Sequence, residues 1–197
     1  MDSPHRLTQA TKKYFEDLEA KIAPANARKR PPEIYTPPLG QHGRYTCPAS
    51  KGFDLTVSLG QLDRALLFLD TLVKALETQG FKISNNAEGP KNDLKCVEAT
   101  KDNEGVRFSL SEGYRRRMLS PEELKVVREK WSWASEYEMV PSGKFTFTVN
   151  GRESWTERKW IDDTKKLEER LAAALIPAQC HRSAIFSCVT LPGRGRK

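Results

Sequence analysis

Histidine and cysteine are scarce: this chain of 197 residues has three of the first and four of the second. The histidines (His5, His42 and His181) all fall outside the stretches with regular hydrophobic patterning, so no histidine general base is built into a predicted core. Cys47, Cys96, Cys180 and Cys188 are too few for a disulfide scaffold at this length. No CxxC or HxxxH pair supplies the close spacing of a structural zinc site. His42 with Cys47, or Cys180 and His181 with Cys188, come nearest to a ligand set, and ordinary reduced thiols account for both. Cys96, in an apolar strand-like run, reads as a small buried hydrophobe. No metal and no other cofactor is expected.

Catalytic motifs are missing too. There is no glycine-rich phosphate loop, no GxSxG elbow and no HExxH helix. The acidic pairs Glu122-Glu123, Asp162-Asp163 and Glu168-Glu169 fit helix starts or solvent-facing helix positions, where carboxylates are favoured for electrostatic reasons. A metal-dependent nuclease built on Asp and Glu is the enzymatic alternative, but the strand-borne carboxylate spacing it needs is absent. The expectation is a protein that is not an enzyme.

Long apolar runs are also lacking. None approaches the ~18 residues of a membrane helix, and the first residues, Met1 to His5, have no apolar signal core. A cytoplasmic, bacterial protein with no membrane partner is expected. Hydrophobic content is 38%, low enough to imply segments without a core of their own. The net charge of +7 invites a nucleic-acid reading, so its distribution matters. Residues 1–52 carry 9 basic and 5 acidic groups (+4), 53–169 carry 19 and 21 (−2), and 170–197 carry 5 and none (+5). The excess sits in the flanks.

What is present is a well-marked helix. Ser58 and Gln61 have capping-box spacing, and Leu62, Ala65, Leu66, Leu69, Leu72, Val73 and Leu76 then recur at three- and four-residue steps. Gly80 can close the helix, predicted over about 59–79, in the left-handed conformation, and Phe81 to Ile83 starts a strand. Phe53, Leu55 and Val57 alternate ahead of it. After a loop at Asn85 to Pro90, Leu94 to Ala99 and Val106 to Ser111 form an antiparallel hairpin about the turn at Lys101 to Gly105.

Ser120-Pro121-Glu122-Glu123 starts a helix that should run to about Lys130. Pro141-Ser142-Gly143 makes a turn into the strand Lys144 to Val149, and Asn150-Gly151 turns it back through Ser154 to Ile161. Asp162 or Asp163 caps a last helix carrying Leu167, Leu171, Leu175 and Ile176, ended by Pro177. His5 to Ile22 reads as a further short helix with Leu7, Ala10, Tyr14, Leu18 and Ile22 near one face.

These elements predict an α+β fold: an antiparallel sheet with the long amphipathic helix and the C-terminal helix on one face. The organisation follows as an N-terminal helix and Pro-rich linker over 1–52, an α+β domain over 53–176, and a disordered basic tail over 177–197. The tail composition also fits a terminus altered by frameshift.

The runs Asp54 to Ser58 and Leu62 to Phe81, with Val106 to Leu110, Pro141 to Phe147 and Leu167 to Leu171, resemble a family of uncharacterised bacterial proteins over roughly 50–176. Fuller members carry an N-terminal segment similar to a helix-turn-helix. This chain lacks one, so the resemblance implies the C-terminal region of that family and is compatible with a truncated product. The motifs are packing patterns and carry over no catalytic residue.

One cluster stands out for function. Arg115, Arg116 and Arg117 follow Tyr114; Trp131 and Trp133 come soon after, and Trp155, Arg158, Lys159 and Trp160 later. Arginines can neutralise phosphates while indole faces stack on unpaired bases, so Arg115, Arg116, Arg117, Trp131, Trp133, Arg158 and Lys159 are the candidate DNA- or RNA-binding residues. The plainer reading is a solvated strand edge with some tryptophans in the core. The third reading is a protein–protein interaction module, using the Pro-rich strap and exposed aromatics. Oligomeric state is not assigned.

Overall fold

Hydrophobic alternation and turn chemistry fix most of the architecture in a computed structural model that describes residues 3–27, 42–85, 96–102, 104–151 and 157–170. The order is α1 (Arg6–Ala27), β1 (Tyr45–Cys47), β2 (Leu55–Val57), α2 (Leu62–Thr78), β3 (Lys82–Asn85), β4 (Val97–Lys101), β5 (Glu104–Met118), α3 (Pro121–Lys130), β6 (Tyr137–Gly151) and β7 (Glu157–Ile161). A helical turn follows at 167–170. The fold is α+β, as the pattern predicts.

The sheet runs β1-β2-β5-β4-β3, with β6 pairing β5 and β7 pairing β6. β5 is its spine. β6 lies along one edge of β5 from Val106 to Met118, and β4 takes the other edge as far as Phe108. β2 then occupies that same edge through Leu55↔Leu110 and Thr56↔Ser111, and this pairing is parallel. Every other pairing is antiparallel. The sheet is therefore mixed where the sequence suggested a uniformly antiparallel one. β5 is longer than its hairpin partner, so its vacant edge accepts a strand arriving from the other direction.

α2 buries Ala65, Leu66, Phe68, Leu69, Leu72, Val73 and Leu76 against the sheet, each large side chain worth roughly 1.5–3 kcal/mol. The Phe68 ring meets Phe147 edge-on at 5.4 Å, and Phe147 in turn lies 5.9 Å from Trp160. Gly80, at φ +86°, ends the helix run. The predicted cap differs, however: Ser58 makes no side-chain capping bond, and a 3₁₀ turn over Leu59–Gln61 precedes the α-helix. The Ser58 N–H is instead held by the Glu112 carboxylate at 2.8 Å.

α1 belongs to the same core. Its buried stripe is Leu7, Thr8, Thr11, Phe15 and Leu18, and Ala10 faces solvent. Leu7, Phe15, Leu18 and Cys47 share one hydrophobic cluster with the α2 leucines, so core residues lie on both sides of the boundary read at residue 53. The Thr11 hydroxyl donates to the Leu7 carbonyl at 2.7 Å and accepts the Phe53 N–H at 2.8 Å. A Cβ on Gly52 would sit 2.2 Å from that hydroxyl oxygen, so only glycine permits this approach. Burial pushes the Cys47 thiol up to about 12.

Pro141-Ser142-Gly143 does not turn the chain. β6 continues through it as one strand, with Gly143 at φ +72°, a conformation L side chains rarely adopt. Residues 28–41 of the Pro-rich linker, 86–90 of the loop read at Asn85 to Pro90, Leu94 at the start of the strand read there, Trp155, residues 171–176 of the last helix and the tail with Cys180, His181 and Cys188 lie outside the described residues.

Candidate functional site

Beyond Glu112, β5 and β6 leave the core together. From Gly113 to Lys144 no described residue is buried, although Tyr114↔Pro141 to Met118↔Tyr137 stay paired in register. This two-stranded ribbon, with α3 at its end, is an arm. Its root is a β-bulge between Glu112 and Tyr114, clasped by the 42–44 turn. The Arg44 guanidinium stacks over the Tyr114 ring at 3.4 Å and donates to the Glu112 carbonyl, while the His42 ring meets Tyr114 edge-on.

Register parity divides the ribbon into two faces. One bears Tyr114, Arg116, Met118, Tyr137, Met139 and Pro141; Arg116 stacks on Tyr137 at 4.7 Å. The other bears Arg115, Arg117, Glu138 and Val140, with α3 alongside. There Arg117 pairs with Glu123 at 3.0 Å and Glu138 at 2.6 Å. Those two carboxylates raise the Arg117 pKa. Glu123 is held below the usual carboxylate range, by the Ser120 N–H first and Arg117 second. Arg128 pairs with Glu136 at 3.2 Å.

α3 starts as its sequence predicts. Ser120 Oγ accepts the Glu123 N–H, and the Glu123 carboxylate accepts the Ser120 N–H. It ends at Trp131, whose ring meets Trp133 at 5.6 Å. Trp133 is 79% exposed, and Met118 (66%), Val126 (57%), Trp131 (39%) and Tyr137 (37%) also lie open. A shallow depression of about 500 Å³ is lined by Pro121, Leu124, Lys125, Arg128 and Glu129.

The sequence candidates therefore separate. Arg115, Arg116, Arg117, Trp131 and Trp133 share the arm, with Arg116 on the face opposite the other two arginines. Arg158 and Lys159 pair with Val149 and Thr148, ten residues along β6 from Glu138, roughly 30 Å away at ~3.3 Å per residue. Lys159 is bridged to Glu157 at 2.8 Å. Met118, Tyr137 and Met139 were missed, although the alternation Tyr114-Arg116-Met118 marks one ribbon face.

Two buried carboxylates, Glu112 and Asp162, hold backbone N–H groups. Glu112, 1% exposed, accepts the Ser58 and Gly143 N–H groups at 2.8 and 2.7 Å. Asp162 accepts the Phe145 and Leu167 N–H groups at 3.0 and 2.9 Å and pairs with Arg64 at 2.9 Å. Arg64 also forks onto both Glu168 oxygens at 2.7 and 2.8 Å. Burial would raise Asp162 and Glu168, but the backbone donors and Arg64 outweigh it and both lie low. Arg64 is raised, chiefly by Glu168. Among the described residues no group of three or more His, Cys, Asp or Glu is placed to hold a metal ion. No described helix is long and apolar enough to cross a membrane.

No protein-family model, no curated protein and no solved structure matches this chain.

Proposed function

We propose that this chain is a non-enzymatic bacterial protein of the cytoplasm that takes a protein partner on its arm. One observation carries the reading: the arm has no buried residue from Gly113 to Lys144 among those described, yet holds Met118, Val126, Trp131, Trp133 and Tyr137 in the open. A two-stranded ribbon gains little stability by itself, and clustered exposed apolar side chains mark contact surfaces. Trp, Tyr, Met and Arg are also the types enriched at protein interfaces and their hot spots. The carboxylates Glu112, Asp162 and Glu168 are engaged in holding backbone and Arg64, which supports a binding rather than a catalytic role.

The test is retention of partners from nuclease-treated extract on the immobilised chain. Trp131→Ala/Trp133→Ala should lose a retained protein by at least tenfold while circular dichroism stays unchanged. Equal retention by both forms would defeat the reading.

A nucleic-acid reading has one observation of its own: Arg115 and Arg116 stand outside the arm's salt bridges, close in sequence to the open Trp133. The resemblance to proteins with a helix-turn-helix-like segment supports it as well. It requires salt-dependent binding to DNA or RNA that disappears in Arg115→Ala/Arg116→Ala.

A further inference from the structure

We infer that the outer edge of β5 in the arm takes an extended, acidic strand from a partner protein, an inference that rests on the interaction reading above and names the kind of partner. β6 occupies one side of β5 as far as Met118, whereas on the other side β4 stops at Phe108 and β2 at Ser111. Beyond Ser111 no described strand pairs with that second side.

Strand residues present their N–H and C=O groups to alternate sides. The Leu119 N–H reaches the Glu136 carbonyl across the ribbon at 2.9 Å, so Arg115 and Arg117 share that direction. Arg116 and Met118 therefore aim their backbone groups outwards. They are in step with Leu110, whose N–H reaches the Asp54 carbonyl at 3.0 Å, and with Glu112, whose carbonyl accepts from Arg44. The bulge leaves this alternation intact, because its extra residues (142–144 against 113) lie on β6. β5 thus offers donors and acceptors in the ladder pattern that an added strand needs.

Charge selects the occupant. Arg115, Arg116, Arg117 and Met118 are all exposed along this edge. Arg117 is taken by Glu123 and Glu138, while Arg115 and Arg116 stand outside the arm's salt bridges. Their partners on β6, Val140 and Met139, bring no charge. In a strand laid on the open edge, the residues opposite Arg115 and Arg116 lie within about 5.5 Å, one on each face of the ribbon, and carboxylates are favoured at both. A second copy paired antiparallel about Arg116 would set arginine against arginine at all three positions. The run therefore repels its own kind and admits acid. An apolar side chain opposite Met118 completes the fit, beside Tyr137 on the same face.

The experiment titrates the full chain with a fluorescein-labelled, C-terminally amidated peptide, Ser-Val-Thr-Glu-Glu-Val-Thr, and with a twin carrying lysines for the glutamates. Antiparallel seating puts the glutamates opposite Arg116 and Arg115 and the first valine opposite Met118. The acidic peptide should bind saturably and its twin at least tenfold more weakly. Arg115→Glu/Arg116→Glu should reverse that order. Met118→Pro, which removes an outward N–H and no β5–β6 bond, should abolish binding that Met118→Ala keeps. By NMR the peptide should slow amide exchange at Arg116 and Met118 and leave Arg117 unchanged. No saturable binding, equal binding of both peptides, or binding indifferent to Met118→Pro overturns the inference. Displacement of the acidic peptide by an equal concentration of oligodeoxythymidine overturns it too, in favour of a polyanion site. Retention of a protein from extract that needs Trp131 and Trp133 but survives Arg115→Glu/Arg116→Glu overturns the edge inference and leaves the interaction reading standing.

Discussion

At the residue scale, two polar side chains decide how distant segments meet. Thr11 is fully buried and joins α1 to the Gly52-Phe53 backbone by accepting the Phe53 N–H, while its hydroxyl donates within α1 to the Leu7 carbonyl. Gly52→Ala forces its methyl to within 2.2 Å of the threonine oxygen, so α1 must shift. The expected loss is about 1–3 kcal/mol in urea unfolding. Thr11→Val should cost a similar amount, because the Phe53 N–H is then buried without an acceptor. An unchanged midpoint in both would show that α1 is not seated there.

Arg64 is the second decisive residue. Its guanidinium lies over the Phe145 ring at 4.4 Å and ties α2 to Asp162 and to Glu168 in the helical turn at 167–170. The folded pKa values of Asp162 and Glu168 lie below their unfolded reference values of 3.8 and 4.5. Their stabilisation is therefore complete above about pH 5 and disappears as pH falls through the lowered folded values. Stability should decline from pH 5 towards pH 3, and Asp162→Asn/Glu168→Gln should flatten that decline while lowering stability at pH 7. A variant with the wild-type acid slope would contradict the assignment.

At the scale of elements, α3 is set by local chemistry and the sheet by distant pairing. Ser120, Pro121 and Glu123 spell out a helix start, and both halves of the capping box form. Ser120→Ala should cost about 1 kcal/mol, confined to α3. Faster amide exchange in Pro121–Lys130, with the global melting temperature unmoved, is the expected result. A drop in global stability would mean that α3 is integrated with the core.

The α2 stripe and the β4–β5 hairpin were legible because each rests on spacing within a few residues. The parallel seating of β2 on β5 was not, since it depends on β5 outrunning β4, and strand length is poorly marked where alternation gives way to Tyr114-Arg115-Arg116-Arg117. That same change of pattern concealed the arm. Charged and aromatic residues of a ribbon without a core have no buried face to impose period two. Pro141 and Gly143 read as a chain reversal, although the strand passes straight through them.

At the scale of the whole molecule, arm and body are separable by design. Met118 and Tyr137 close the ladder opposite one another, so residues 119–136 can be replaced by an Asn-Gly turn that suits a tight hairpin. Because no described residue among those removed is buried, the shortened chain should keep the parent's unfolding free energy to within about 0.5 kcal/mol. It should lose every arm-dependent association. Collapse of the shortened protein would show that the arm contributes to folding of the body.

The end-to-end seating of β2 and β4 on β5 also sets the order in which a nascent chain can become native. β1 and β2 join the sheet only through the pairing of β2 with Leu110 and Ser111. Until the ribosome has delivered that stretch, the first half of the polypeptide holds an apolar helix pair and two separate strand pairs, β1–β2 and β3–β4, without the spine that joins them. Acquisition of structure is thus delayed by high contact order and gated by translation of β5. Codon changes that slow synthesis just before Glu104 lengthen the window in which α2 is open to chaperones.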